Sequence, residues 1–320
     1  MMTLLKNLIL FFLIIFFNSC SVEDGTHKTF LWIVTSWQDV DRYNQNKDYW
    51  DKGNLYQPGY NLRGIASNNS SELIVVGQDG TIWQSYDYGL TWDNRTSGNG
   101  NTTNLWEVEY ISGNYVAVGN SGIIITSDDG ITWDNRTSGV TGHPLRGITF
   151  GNSTYVVVGR SGTVLTSTDS ISWTLRSNVT TEFLCGVSYL NGKFIAVGKN
   201  GSLLTSTDGI TWDNKTSGIS TDLKEISYGN GVYVAVGNDG TIISSTDTET
   251  WTSRDGASGN LWAIDFGNGT FLTGGNDIYR SYDGITWDNI SSNSAQAIKY
   301  IDYESQKWKS SQNPQFADLR

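Results

Sequence analysis

Six tryptophans recur along the chain at nearly constant spacing. They are Trp92, Trp133, Trp173, Trp212, Trp251 and Trp287, separated by 41, 40, 39, 39 and 36 residues. Each closes a short box that begins with serine and soon carries an aspartate. The boxes read SYDYGLTW at 85–92, SDDGITW at 127–133, STDSISW at 167–173, STDGITW at 206–212, STDTETW at 245–251 and SYDGITW at 281–287. A chain that repeats itself at such a period builds one supersecondary unit per repeat, and each unit needs neighbours to bury its apolar faces. A period of about forty residues accommodates four short strands, the content of one propeller blade.

The segments between the boxes carry strand grammar. In the stretch before Trp251, LKEISY (223–228) reads as a first strand, GNG as a turn and VYVAVG (232–237) as a second strand. NDG (238–240) is a tight hairpin whose residues tolerate positive φ. TIISS (241–245) is the third strand, the box is the next turn, and the tryptophan opens the fourth. LRGIAS, LWEVEY, LRGITF, LCGVSY and LWAIDF are first strands by the same pattern. With 36 Gly, 13 Trp, 16 Tyr and only 3 Pro, short β-branched and aromatic runs between Gly/Asn/Asp clusters predict an all-β chain.

The expectation is a seven-bladed β-propeller of four-stranded antiparallel blades over residues 30–310, its last blade closed by both termini. In that reading 298–310 provides first and second strands, 30–37 a third and 48–50 the start of a fourth, with a degenerate box around Ser36 and Asp39. A six-bladed ring with an N-terminal extension is the alternative.

Residues 1–19 read as a signal peptide: Lys6 is followed by an apolar core from Leu8 to Phe17, too short to span a bilayer. The sequence FNSC ending at Cys20 is similar to a bacterial lipobox, which makes Cys20 the expected lipidation site. Residues 20–29 are then the lipid attachment and tether, and 311–320 a C-terminal tail. The expected location is outside the cytoplasm, as a membrane-anchored lipoprotein in the periplasm or on the outer surface, or otherwise secreted, and the expected state is a monomer that meets the membrane through the anchor alone. The net charge of −11 has the wrong sign for nucleic-acid phosphates.

The pattern Ser-x-Asp-x-Gly-x-Thr-Trp resembles the Asp-box, or bacterial neuraminidase (BNR) repeat. The box at 85–92 has full spacing; the other five are one residue shorter, and those at 167–173 and 245–251 lack the glycine. The shorter form resembles that of photosystem II assembly-factor (Ycf48-like) propellers. The chemistry of the box is structural. Asp87, Asp129, Asp169, Asp208, Asp247 and Asp283 are suited to accept turn N–H groups, and the six tryptophans to wedge between sheets. In the tails after the boxes, Arg95, Arg136 and Lys215 stand on outer strands as guards against edge pairing.

The resemblance implies that function sits on the face opposite the boxes. There the second residue of each first strand forms a set: Arg63, Trp106, Arg146, Cys185, Lys224, Trp262 and Lys299. Arg160 and Lys199 sit in hairpin turns expected on the same face. All but Cys185 are the candidate ligand-binding residues. Cations gathered in an acidic chain suit an anionic group, and the indoles suit stacking on a sugar or a side chain. The expected function is a non-catalytic, scaffold-like propeller that binds a protein segment or an anionic or glycan ligand at its channel mouth.

A glycoside hydrolase or carbohydrate-binding protein is the alternative. Glu107 and Glu225, one residue further along their first strands, are its carboxylate candidates. The Arg-Ile-Pro motif of sialidases is missing: Pro58, Pro144 and Pro314 do not follow Arg-Ile. With His27 in the tether, His143 is the one histidine of the ring, which excludes a histidine-based metal cluster and gives poor support to a Ser-His-Asp triad. No cofactor and no metal are expected.

Overall fold

In the computed structural model, side chains are described over 62–290 except at 69–71, 88, 90, 96–100, 177–178, 268 and 276; at the ends, backbone strands are described at 30–35, 39–44, 49–56 and 298–302. The signal segment, Cys20, the tether and the tail at 311–320 lie outside the described residues, as does the side chain of Lys299. No helix among the described residues is long and apolar enough to cross a membrane.

Six four-stranded antiparallel sheets each come from one continuous run of chain. They are numbered here as blades 1 to 6, covering 62–95, 105–136, 145–176, 184–215, 223–254 and 261–289. Blade 5 shows the plan: Leu223–Gly229 is innermost, followed outward by Val232–Gly237, Ile242–Ser245 and Thr252–Arg254. The second strand is apolar without alternation, because blades cover both of its faces; Val234, Ala235 and Val236 are all fully buried.

The core therefore lies between blades rather than within one. One cluster joins Ile74, Val76 and Ile82 of blade 1 to Val108, Tyr115 and Trp133 of blade 2. Equivalent clusters join blades 2 and 3, 3 and 4, 4 and 5, and 5 and 6. Close approach is required in places: a Cβ on Gly151 would lie 2.0 Å from the Tyr189 ring of the next blade.

The hairpin predicted at 238–240 is a short 3-10 turn with Asp239 at φ 56 and Gly240 at φ 70. The N–H of Asn238, which opens this turn, donates to the carbonyl of Asp222, the residue just before the innermost strand of the same blade. Asn120, Arg160 and Lys199 donate in the same way to Asn104, Pro144 and Phe183. These bonds place each turn beside the start of an innermost strand, a fact that matters at the channel mouth.

The boxes are turn fasteners, as their residue types predict. Asp129 Oδ1 accepts from the N–H of Ile131 at 2.7 Å and of Thr132 at 2.8 Å. Ser127 Oγ accepts from Gly130 N at 2.8 Å, and Trp133 Nε1 donates to the Gly130 carbonyl at 3.1 Å. Where glycine is missing, Ser170 and Thr248 take the left-handed conformation, at φ 61 and 70. Thr248 is fully buried, and its hydroxyl accepts from Lys193 Nζ at 3.1 Å. On the outer strands Arg136 Nε donates to Thr126 Oγ1, and Lys215 pairs with Glu249 of blade 5 at 2.7 Å.

The chain ends combine into a further four-stranded sheet, ordered 298–302, 30–35, 39–44, 49–56 from one side to the other. Six blades are thus contiguous, as in the alternative reading, and the N-terminal segment pairs with the C-terminal strand in the further sheet. The strand Ile298–Asp302 contacts the innermost strands of blades 6 and 1, which brings the two ends of the ring together. The sharing differs from the sequence expectation. The N-terminus contributes three strands, and Phe30–Thr35 is the second strand of the sheet rather than the third. Asp39 opens the third strand and pairs with Thr35 at the end of the second, while Ser36 of the expected degenerate box and the expected strand at 303–310 lie outside the described residues. Periodicity could not settle this, because these strands carry no box to set the register.

Trp133 is 2 % exposed, whereas Trp212 is half-buried. Trp133→Ala is expected to cost about 3–5 kcal/mol, and Trp212→Ala less, in denaturant unfolding. A second expectation concerns acid. The N–H groups of Ser172 and Ile171, with the Ser167 hydroxyl, pull the Asp169 carboxyl down to about 2. Thr250 and Glu249 N–H groups lower Asp247 in the same way. An unfolded aspartate titrates at about 3.9, so this stabilisation is complete above that value and is lost as pH falls through the folded pKa. Calorimetry should show the melting temperature dropping from about pH 4 towards about pH 2, with a shallower drop in the Asp169→Asn, Asp247→Asn variant.

Candidate functional site

Each innermost strand starts with a leucine that is fully buried: Leu62, Leu105, Leu145, Leu184, Leu223 and Leu261. Immediately afterwards the ladder slips. The register shifts between Leu62 and Gly64, and at the same place in blades 2 to 6. A bulge leaves one residue outside the pairing and re-aims its side chain. Here that residue is Arg63, Trp106, Arg146, Cys185, Lys224 or Trp262, and all six line one cavity of about 340 Å³. Lys199 joins them, because its turn is held against Phe183, another lining residue. Arg160 holds the same turn position in blade 3 but is exposed and does not line the cavity. Lys299 follows Ile298 at the start of its strand; its side chain is outside the described residues.

Trp106 is enclosed by cations. The Arg63 guanidinium lies 3.5 Å from its ring centroid and the Arg146 guanidinium 3.2 Å. Its Nε1 donates to Asn120 Oδ1 at 2.6 Å. Two guanidiniums, one from each neighbouring blade, thus lie against the Trp106 ring. Burial, then the Arg146 charge, pulls Arg63 down to about 10; burial does the same to Arg146, also to about 10. Both remain charged at neutral pH. The Nε of Arg146 is buried without a hydrogen-bond partner, and neither Arg146 nor Lys199 has an ion pair among the described residues.

On the other side, Lys224 pairs with Asp222 at 3.1 Å and lies 5.5 Å from the Trp262 ring. Burial pushes the Cys185 thiol up, against the opposing pull of Lys224, Arg146 and Lys199. Glu107 and Glu225 also line the cavity, but each serves the backbone. Glu107 Oε2 accepts from the N–H of Ile148 at 2.7 Å, and Glu225 Oε2 from that of Ile264 at 3.2 Å. These glutamates cap the channel-facing edge of the next blade's innermost strand. His143 faces Thr163 Oγ1 at 3.3 Å. Among the described residues no group of three or more His, Cys, Asp or Glu is placed to hold a metal.

Phe183 and Asp222 escape the sequence reading, since each precedes its strand and belongs to no repeated motif. The signal that locates them is the docking of the hairpin turns of blades 2 to 5 on the residue before the innermost strand.

The fold and site define a ring propeller with a cationic cavity at one mouth. The family model described as photosynthesis system II assembly factor YCF48 matches residues 24–126, about a third of the chain. No curated protein matches. Among solved structures, YCF48 from Cyanidioschyzon merolae is similar at 19 % identity and a TM-score of 0.57, over 74 % of this chain and 86 % of that one. A structure titled YCF48 bound to D1 peptide is similar at 16 % identity and a TM-score of 0.63, over 84 % and 94 %. The WD40 propeller domain of Doa1 is similar at 15 % identity and a TM-score of 0.62, over 77 % and 87 %. These likenesses show the β-propeller fold, and the family model adds a local resemblance over 24–126.

Removing the carboxylate at either capping position leaves a strand N–H without that acceptor. Glu107→Ala is expected to lower stability by about 1–3 kcal/mol, with Glu107→Gln losing less because an amide oxygen still accepts. Chemical denaturation of both variants tests this.

Proposed function

We propose that this propeller is a non-catalytic binding module that holds a segment of a partner protein at its cationic mouth, in the manner of an assembly factor or scaffold. The observation that carries the reading is the convergence of Arg63, Arg146, Lys199 and Lys224 on one cavity in a chain whose net charge is −11. Cations concentrated against the overall charge favour an acidic segment and steer its approach. The likeness to a YCF48 structure solved with a bound peptide supports a protein partner. A glycan is less well served, because the guanidiniums occupy Trp106. Hydrolysis is less well served too, because Glu107 and Glu225 are engaged by strand N–H groups. The apolar segment ending at Cys20 is read, in the same proposal, as an export signal with a lipid anchor that would keep the mouth near a membrane.

Affinity capture on the mature protein, compared with the Arg146→Glu, Lys224→Glu double variant, tests the reading. The wild type is expected to retain a protein partner in a salt-sensitive way, and the variant to lose it by about tenfold or more. Equal capture by a folded variant would overturn the proposal.

A further inference from the structure

An innermost strand is paired on one side only, and its other side faces the channel. Two blades show what this edge accepts. The N–H of Ile148 takes the carboxylate of Glu107, and the N–H of Ile264 takes that of Glu225; each glutamate comes from the preceding blade. Ile148 and Ile264 share one register, opposite Val157 and Thr273 and just past the bulge. Val187 of blade 4 occupies the same place, opposite Ala196. The shared register aims its N–H in the same direction.

The acceptor differs. Gly147 stands in blade 3 where Glu107 stands in blade 2, and a Cβ there would lie 3.0 Å from Val187 N. Gly147 has no side chain to offer, and of the residues at this register Val187 alone, among those described, lines the cavity. Its neighbour Cys185 is within electrostatic reach of Lys224, Arg146 and Lys199. The buried Nε of Arg146 has no hydrogen-bond partner.

We infer that the cavity seats a carboxylate of the partner segment against the Val187 N–H, flanked by Arg146 and Lys224. The incoming group takes the place that Glu107 and Glu225 hold in their own blades. The inference rests on the proposed binding of a protein segment and specifies its anchor: a carboxylate, either chain-terminal or on an acidic side chain. A backbone N–H with two cations provides charge-assisted hydrogen bonds, which are stronger than neutral ones.

Amide spectra of 15N-labelled, otherwise deuterated protein test the seat directly. The probes are sodium acetate, sodium chloride, and three short alanine peptides: one with a free C-terminal carboxylate, its amide, and the amide carrying one internal glutamate. The Val187 amide is expected to move in a saturable way with acetate and with at least one acidic peptide, while the Ile148 and Ile264 amides stay in place. A response to the free-acid peptide alone assigns a chain terminus; a response to the internal glutamate assigns a side chain. Arg146→Gln and Lys224→Gln should each weaken the response about tenfold or more. A silent Val187 amide, or an equal response to chloride, overturns the seat. If partner capture persists while Val187 is silent, the seat fails and the proposed function stands; if capture fails as well, both fall.

Discussion

A propeller blade has two apolar faces and can bury neither by itself. The composition of the strands, the place of the core and the meeting of the chain ends follow from that constraint. The second strands are apolar on both sides, as in Val234–Val236, because a blade lies on each flank. The core clusters join neighbouring blades, and Trp133 and Trp287 reach into them from the boxes. The two chain ends share one sheet, whose innermost strand touches blades 6 and 1, and so the stack is not left with two wet faces.

The same packing creates the site. Innermost strands converge on the axis, and space between them is short. Small residues such as Gly147 and Gly186 admit a neighbouring backbone, while Glu107 and Glu225 satisfy strand N–H groups at the same register. The bulge before this point turns one side chain per blade towards the mouth. Four cations, two indoles and two carboxylates then meet in one cavity, and their partners set what each offers. Trp106 carries a guanidinium against its ring from each neighbouring blade, and Lys224 is tied to Asp222. Arg146 and Lys199 have no ion pair among the described residues.

Much of this was legible in advance, and the reasons are local. The box residues bond within their own turn, so Ser127, Asp129 and Trp133 could be assigned from spacing and chemistry. The second position of each first strand was found because the repeat marks it. What escaped depends on contacts between repeats. The engagement of Trp106 by two arginines joins three blades, and the capping by Glu107 joins two. The division of the end sheet into three strands and one also escaped, because 30–56 carries no box to set its register.

The sequence by itself determined the all-β class, the blade period, the fastening role of the aspartates and the identity of most residues at the mouth. Those follow from interactions within one repeat, where spacing along the chain is also distance in space. Only the tertiary structure decided which polar groups at the mouth are already engaged, and that an N–H of Val187 stands where two other blades supply a glutamate. These depend on how adjacent innermost strands approach, a separation of about forty residues in sequence that closes to hydrogen-bond length only in the assembled ring.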